Sequence, residues 1–258
     1  MNDFKTVAME AAIESGKLQI ELSQRDLKFE LKNPRDILAE GDTESEKIII
    51  GKIKQNFPSH SIWSEEAGKE ILDSEYLWVI DPIDGTISFA RKIEDYCVSI
   101  ALSHKGSIIF GLIYQPALNK MYIAEKGKGA FLNNEPISVS TESDLITTLA
   151  ATDNTSKNDF QIKNFELLTR ISTHVRQIRI CGSVALHIAR LAEGKLDLYF
   201  KNRFNYWDCA AGALILREAG GTVTDFDGKE FTQNSVNIVA SNKIIHQSAI
   251  ELIQKNLN

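Results

Sequence analysis

The stretch that decides the fold is Val79-Ile80-Asp81-Pro82-Ile83-Asp84-Gly85-Thr86. The apolar run Tyr76–Ile80 is bounded by turn signals and predicts a buried strand. This strand leads directly into two aspartates three residues apart, followed by a glycine that permits a tight turn. Carboxylates hold hard cations, and free backbone amides donate to phosphate oxygens. The stretch therefore indicates a metal–phosphate site, although the same residue types also favour a surface turn.

Two further acidic segments lie at a distance from this stretch in sequence. Glu65 and Glu66 follow the short apolar run Ser61-Ile62-Trp63, and a pair of glutamates is also typical of a solvated face. Asp208 stands between an aromatic residue and a run of small residues at a predicted helix start, where it is equally consistent with a helix N-cap. A glycine stop at Gly220-Gly221 closes that helix.

Hydrophobic periodicity divides the chain into two parts. Helices are predicted at about 3–24, capped by Asp3, and after an irregular segment at 26–41, where Thr43 and Glu46 fit a capping box. A meander of antiparallel strands then runs from Tyr76 to Ala124. Beyond the polar stretch at 138–147, strands alternate with helices and indicate an α/β layer. In this second part we predict strands at 149–151, 176–180, 196–200 and 237–240, and helices at 158–173, 183–193, 209–219 and 243–256.

Composition excludes several classes of protein. The 258-residue chain is 43% apolar and 25% charged, as in a globular protein with a real core, and its net charge is -6. A net acidic chain is a poor general binder of nucleic acid. Three cysteines at wide spacing argue against a disulfide framework and for a reducing compartment. No signal-like N-terminus or membrane-length apolar run is present, so we expect a cytoplasmic protein with no membrane partner.

Taken together, the acidic segments resemble the inositol monophosphatase family. Asp81 to Thr86 is similar to the first signature of that family, and Trp207-Asp208 through Gly220-Gly221 is similar to the second. Ser64-Glu65-Glu66 matches the acidic pair upstream, and the likeness continues through Gly127 to Phe131 and Gly182 to Val184. The resemblance implies a layered α-β-α-β-α sandwich, with an N-terminal α+β domain at 1–145 and a C-terminal α/β domain at 146–258.

The resemblance also implies a set of site residues. One metal would be held by Glu65, Asp81 and the carbonyl of Ile83. A second would be shared by Asp81, Asp84 and Asp208. Asp42 and Thr86 would orient the attacking water. The implied substrate contacts are Asp84, the amides of Gly85 and Thr86, Gly182, Ser183, Val184, Lys201 and Asp208.

The resemblance implies two or three Mg²⁺ ions in each active site, and the chemistry of these residues agrees with hard cations there. Carboxylates that converge on one pocket repel each other unless cations neutralise them, and oxygen-only ligands favour magnesium over zinc. The ions reverse the local field, so that an acidic protein can take a phosphate dianion. We therefore expect a phosphoric monoester hydrolase that uses metal-activated water on a small phosphate ester. The resemblance adds lithium sensitivity and a homodimer.

The substrate stays open among several family classes. Lys201 stands where many inositol phosphatases carry a glutamate that holds substrate hydroxyls, and Arg203 follows two residues on. These cations favour a substrate with a second anionic group, whereas the alternative for Lys201 is a surface lysine. The closest expectation is an inositol-1-monophosphatase. Alternatives are histidinol phosphate, fructose 1,6-bisphosphate or 3'-phosphoadenosine 5'-phosphate as substrate, and a non-catalytic regulatory protein on the same fold. A nucleic-acid accessory role is disfavoured by the net charge.

Overall fold

A computed structural model describes residues 3–25, 29–33, 36–153 and 158–255. The helices are α1 (Phe4–Ser23), α2 (Glu40–Asn56), α3 (Thr86–Ala90), α4 (Asn158–Ser172), α5 (Val184–Ala192), α6 (Tyr206–Glu218) and α7 (His246–Lys255). The strands are β1 (Phe29–Asn33), β2 (Asp36–Ala39), β3 (Ser61–Ser64), β4 (Gly68–Glu70), β5 (Tyr76–Asp84), β6 (Cys97–His104), β7 (Ser107–Gln115), β8 (Lys120–Glu125), β9 (Ala130–Leu132), β10 (Glu135–Pro136), β11 (Leu149–Ala151), β12 (Gln177–Arg179), β13 (Leu198–Lys201), β14 (Gly221–Thr224) and β15 (Ile238–Asn242). None of the helices in these ranges is long and apolar enough to cross a bilayer.

The first main sheet has the order β10-β9-β8-β7-β6-β5-β3-β4. Strands β5 to β8 pair antiparallel in sequence order, which confirms the predicted meander. Strand β3 is the exception, because it lies parallel to β5 with Ser64 opposite Ile80. The ends of β3 and β5 therefore meet at the same edge of the sheet.

The second main sheet has the order β12-β11-β13-β15-β14. Strand β11 pairs in parallel with both β12 and β13, and β15 runs antiparallel to β13 and β14. Parallel neighbours need crossover connections, and here these contain α4 and α5, as the alternating pattern predicted. Strand β14 was not predicted.

Helices cover both faces of each main sheet. Helices α1 and α2 pack on the outer face of the first sheet, α5 and α6 fill the space between the sheets, and α7 packs on the outer face of the second sheet beside α4. Strand β5 is buried on both faces, because Trp78 and Ile80 face α1 and α2 while Val79 faces α5 and α6. This double burial explains its continuous apolar run. The predicted five-layer sandwich is confirmed.

Three local predictions need correction. Within the segment 26–41, which was expected to be irregular, strands β1 and β2 pair antiparallel. Helix α2 begins at Glu40, so the capping box at Thr43 and Glu46 is wrong, and Glu46 bonds to residues outside the helix. Helix α6 begins at Tyr206, three residues before the predicted start. In α2 the long-range bonds of Glu46 outweigh the local capping pattern.

The two main sheets separate in sequence between Pro136 and Leu149. The predicted boundary at 145/146 falls within this interval. Helices α5 and α6 contact the first sheet although they belong to the second part of the chain. The division into domains at 1–145 and 146–258 stays a prediction, and the middle layer is common to both parts.

Candidate metal centre

The centre is built around the end of strand β5. The ladder with β6 is regular up to Asp81 opposite Ser99 and resumes with Asp84 opposite Cys97, so the backbone is irregular between the two aspartates. Gly85 follows with φ +98, and a Cβ there would lie 2.5 Å from the carbonyl oxygen of Asp95. Only glycine fits this turn, which ends the strand and begins α3 at Thr86.

Asp81 lies at the centre of the group. Its side chain is 2% exposed, and its Oδ1 has no hydrogen-bond partner among the described residues. Burial raises the pKa of Asp81 well above its ordinary value, and four nearby carboxylates raise it further. These carboxylates are Glu65, Asp84, Asp208 and Asp42. A buried carboxylate oxygen without a donor, among four other carboxylates, is a donor set suited to a hard cation, so the residues fit Mg²⁺.

Glu65 lies near Asp81 because it follows β3, the strand that pairs in parallel with β5. It follows β3 directly, and its amide donates to the carbonyl of Ile80 at 3.2 Å. The turn after it is held by Glu46 of α2, which is 6% exposed. Glu46 Oε1 accepts from the Ser64 hydroxyl and from the amides of Glu66 and Ala67 at 3.1 and 3.0 Å. Sequence analysis missed this role, because the pattern around Glu46 also fits a helix cap.

Asp84 is held by the first turn of α5. Its Oδ2 accepts from the Ser183 hydroxyl at 2.7 Å and the Ala185 amide at 2.6 Å, and its Oδ1 accepts from the Val184 amide at 3.3 Å. Burial raises the pKa of Asp84 to about 7 even though the bonds from Ser183 and Ala185 lower it. The structure therefore places Ser183 and Val184 against a predicted metal ligand. Their contact with substrate, and that of Gly182, stays a prediction.

Asp208 lies in the first turn of α6. Its carboxylate accepts from the amide of Asn205, the residue that caps the helix, at 3.1 Å. Burial and the charge of Asp84 raise the pKa of Asp208 to about 7. Asp208 therefore has two roles. Its carboxylate takes part in the helix cap, as the N-cap alternative expected in part, and it also lies among the carboxylates around Asp81.

Asp42 and Thr86 contact each other near Asp81. Asp42 is fully buried on α2. Thr86 Oγ1 lies 3.2 Å from Asp42 Oδ1 and 3.1 Å from the carbonyl oxygen of Ile83. A hydroxyl has one proton to donate, so it can serve only one of these acceptors at a time. If the Ile83 carbonyl holds a metal, the proton of Thr86 is directed to Asp42.

Lys201 ends strand β13 and is 8% exposed. The alternative of a solvent-exposed lysine is therefore wrong. Its charge lowers the pKa of Asp84 and of Asp208, against the effect of burial. The cation thus acts on the same carboxylates that are predicted to hold the second metal. Arg203, two residues on, is half-buried.

A second cluster of polar side chains includes His187 of α5. Ligand atoms of Asp153, Cys181 and His187 lie within 4.8 Å of one another. An Asp–Cys–His set can hold a transition metal, but here the carboxylate of Asp153 already accepts from the Gly182 amide, His187 and the Tyr199 hydroxyl. These bonds account for the group without an ion. Sequence analysis missed it, although an acid just after a strand, as Asp153 is after β11, is a usable signal.

Comparisons with known proteins identify the family and the fold of this chain. The model of the inositol monophosphatase family matches residues 1–258. The fructose-1,6-bisphosphatase/inositol-1-monophosphatase of Thermotoga maritima is 39% identical over 221 residues, which cover 86% of this chain and 84% of that protein. The Nus factor SuhB of Pasteurella multocida is 35% identical over 262 residues, covering 100% of this chain and 98% of that one. The crystal structure of the extragenic suppressor protein suhB from Bartonella henselae superimposes with a TM-score of 0.93 at 32% identity, covering 97% of this chain and 98% of that one.

Proposed function

Because this chain belongs to the inositol monophosphatase family, we propose that it is a Mg²⁺-dependent phosphomonoesterase that acts on a small soluble phosphate ester. One observation carries the proposal. The buried Asp81 carboxylate has an oxygen without a donor and lies among four other carboxylates. Burial and the neighbouring carboxylates disfavour the ionised form of Asp81, and bound cations would offset both effects.

The residues that would hold the ions are those of the predicted ligand set. Glu65, Asp81 and the Ile83 carbonyl would hold one Mg²⁺, and Asp81, Asp84 and Asp208 a second. We expect two or three Mg²⁺ ions in each active site, so a third ion is also compatible with the proposal. When bound, the ions supply positive charge that neutralises the carboxylates, attracts the phosphate and makes a water molecule a better nucleophile.

The other residues of the chain orient the reactants. The Thr86 hydroxyl, 3.2 Å from Asp42, holds a proton between a carboxylate and the backbone and can accept a hydrogen bond from the attacking water. The amides of Gly85 and Thr86, which open α3, would donate to phosphate oxygens. Asp84 is kept in place by three donors from α5, so its position does not depend on substrate. No side chain acts as a covalent nucleophile in this scheme.

For the substrate we propose an inositol-1-phosphate-like monoester as the first candidate. The relative from Thermotoga maritima carries both fructose-1,6-bisphosphatase and inositol-1-monophosphatase in its name. Lys201 favours the bisphosphate alternative, because a lysine cannot accept a hydrogen bond from a polyol hydroxyl and attracts a second phosphate. Histidinol phosphate and 3'-phosphoadenosine 5'-phosphate remain further alternatives. The substrate contacts of Gly182, Ser183 and Val184 belong to this proposal.

A regulatory protein on the same fold is the alternative from another class. One relative is named a Nus factor. Loss of a metal carboxylate would favour this alternative, but Glu65, Asp81, Asp84 and Asp208 are all retained. We also propose a homodimer in a reducing, cytoplasmic compartment, supported by the family and by three unpaired cysteines. Light scattering of the purified chain tests the dimer.

The deciding experiment is a phosphate-release screen. The purified chain is given Mg²⁺ and myo-inositol 1-phosphate, histidinol phosphate, fructose 1,6-bisphosphate or 3'-phosphoadenosine 5'-phosphate, with and without a chelator and with added Li⁺. We expect turnover of at least one substrate, loss with the chelator and inhibition by Li⁺. Full activity of the metal-stripped protein would overturn the metal mechanism. No turnover of any substrate at saturating Mg²⁺ would favour the regulatory alternative.

A further inference from the structure

The helix turn that holds Asp84 is itself held by a buried pair of side chains, Asp153 and His187. Residues Cys181, Gly182 and Ser183, here called the α5 turn, lead into α5 with Gly182 at φ +82. The Gly182 amide donates to Asp153 Oδ1 at 2.8 Å. A positive φ of this kind is open to few other residues, and the bond to Asp153 fixes the direction in which the turn leaves. Ser183, which follows at once, caps α5 and donates to Asp84.

Asp153 is paired with His187. His187 Nε2 lies 3.2 Å from Asp153 Oδ1, and the two side chains are 1% and 3% exposed. The Tyr199 hydroxyl donates to Asp153 Oδ2 at 3.2 Å. Burial lowers the pKa of His187, but the Asp153 carboxylate outweighs this effect and raises it to about 9. The Asp153 carboxylate therefore favours the protonated imidazole, whereas the Cys181 amide, which points its N–H at the same Nε2, favours the neutral imidazole.

His187 also borders the α5 turn. Its Nε2 lies 3.2 Å from the Cys181 amide nitrogen, and its Nδ1 lies 3.7 Å from the Cys181 sulfur. Asp153 and His187 thus contact successive residues of the turn. Burying two charges is expensive, and an apolar pair of similar volume is often as stable. A buried pair is best explained where it fixes one arrangement among several, and here that arrangement brings three donors onto Asp84.

We propose that Asp153 and His187 are positioning residues for the second metal, which they affect through the α5 turn and Asp84. The kinetic part of this inference rests on the proposed function. Loss of the pair leaves Asp84 chemically intact but loosens its donors. Partners of this kind typically change metal affinity by about 10- to 100-fold when they are substituted.

The test uses Asp153→Asn and His187→Gln, with Asp84→Asn as the reference for loss of the second site. Asp197→Asn is the matched control. Asp197 is buried beside the same sheet and accepts from the Ser140 hydroxyl at 2.5 Å and the Leu149 amide at 2.7 Å. Among the described residues, none of its hydrogen bonds runs to the α5 turn. A general loss of stability will therefore appear in the control as well.

The first readout is Mn²⁺ binding to the metal-stripped protein, followed by electron paramagnetic resonance. We expect Asp153→Asn and His187→Gln to weaken the Mn²⁺ ion that Asp84→Asn removes by about 10-fold or more, and to leave the other ion unchanged. The Mg²⁺ concentration for half-maximal rate should rise by a similar factor, while the rate at saturating Mg²⁺ changes less than ~3-fold. Asp197→Asn should match the wild type.

The second readout needs no metal. Cys181 is half-buried, whereas Cys97 and Cys209 are buried. Loosening of the turn should raise the rate at which one thiol reacts with an aromatic disulfide reagent about 10-fold in Asp153→Asn, as expected when local opening limits access. Cys181→Ser identifies the thiol. Unchanged Mn²⁺ affinities together with an unchanged thiol rate would overturn the inference. A wild type that binds no Mn²⁺ would instead overturn the proposed function, and the thiol rate would still decide whether the pair holds the turn.

Discussion

The two halves of the candidate metal centre are held by different kinds of structure. Glu65 and Asp81 stand at the ends of neighbouring parallel strands, where the backbone ladder fixes them. Asp84 and Asp208 are held by hydrogen bonds from the first turns of α5 and α6, in the layer between the sheets. The strand half has a fixed position but leaves a carboxylate oxygen of Asp81 without a donor.

This difference separates two ways of building a cation site. At the strand half, the buried Asp81 carboxylate has one oxygen without a donor among the described residues and lies close to other carboxylates, so a bound cation would favour its ionised form. At the helix half, amides and Lys201 already offset part of the charge on Asp84 and Asp208. We therefore expect the strand half to depend on its carboxylates themselves, and the helix half to depend on the groups around them.

The largest effect should come from Asp81→Asn, because Asp81 of the strand half is the one carboxylate predicted to hold both metals. We expect the rate to fall at least ~100-fold, which corresponds to about 2.7 kcal/mol of activation free energy. The fold should survive, since a buried carboxylate without a donor is replaced by a neutral amide. Phosphate release at saturating Mg²⁺ measures the rate, and thermal unfolding measures the stability of the fold. A loss of rate below ~10-fold at saturating Mg²⁺ would show that Asp81 does not hold both metals.

Within the strand half, Glu65→Gln should cost much more than Glu66→Gln. The charge of Glu65 acts on Asp81, whereas the Glu66 amide donates to Glu46 as part of the turn. We expect about a 10- to 100-fold lower rate for Glu65→Gln, as for loss of a metal ligand, and less than ~3-fold for Glu66→Gln. If Glu66→Gln proved more damaging, the assignment of the acidic pair would be wrong by one residue.

Most of the layered fold was predictable, because its elements have strong local patterns. Strand β5, the meander that follows it, and helices α1 and α5 all show clear periodicity. The hairpin of β1 and β2 and the true start of α2 were not predictable. Strands β1 and β2 pair with each other across a short separation in sequence, whereas Glu46 of α2 accepts from the distant Ser64 hydroxyl instead of capping its own helix.

The candidate site shows the same limit. Short motifs predicted the carboxylates, because the two aspartates after a buried strand, taken with the two other acidic segments, resemble the signatures of one family. The supporting groups are single residues with no local pattern. His187 lies on an apolar helix face, and only the tertiary structure brings it to Asp153, 34 residues away in sequence. Sequence therefore predicts the strand half of the centre better than the supports of the helix half.

In the helix half, Lys201→Glu should change substrate choice more than it changes the chemistry. Lys201 is 8% exposed, so its charge is only partly solvated. A contact of this kind is typically worth about 1–2 kcal/mol, or roughly 5- to 30-fold. We expect kcat/KM for fructose 1,6-bisphosphate to fall by this factor relative to myo-inositol 1-phosphate, at fixed salt and Mg²⁺. An unchanged ratio would mean that Lys201 serves only to offset Asp84 and Asp208.

The smallest effect should appear in the pH dependence of stability, and it separates the halves without any metal. The Asp153 carboxylate raises the pKa of His187 from its ordinary 6.5 to about 9 in the folded chain, against the effect of burial. A raised folded pKa stabilises the fold fully below pH 6.5, and this contribution is lost as pH rises through 9. The pKa of Asp153 is lowered, so its own contribution is lost only in acid.

We expect the unfolding free energy of the wild type, relative to His187→Gln, to fall by about 1 kcal/mol between pH 7 and 9, less than the full linkage because local relaxation reduces it. Urea unfolding with a chelator present at pH 6.5, 8 and 9.5 measures this difference, and other titrating groups cancel between the two proteins. Glu46→Gln, in the strand half, should show no such alkaline loss relative to the wild type. A difference between wild type and His187→Gln that stays constant across this range would mean that the imidazole is neutral, and that hydrogen bonds alone, without a charge pair, hold the α5 turn.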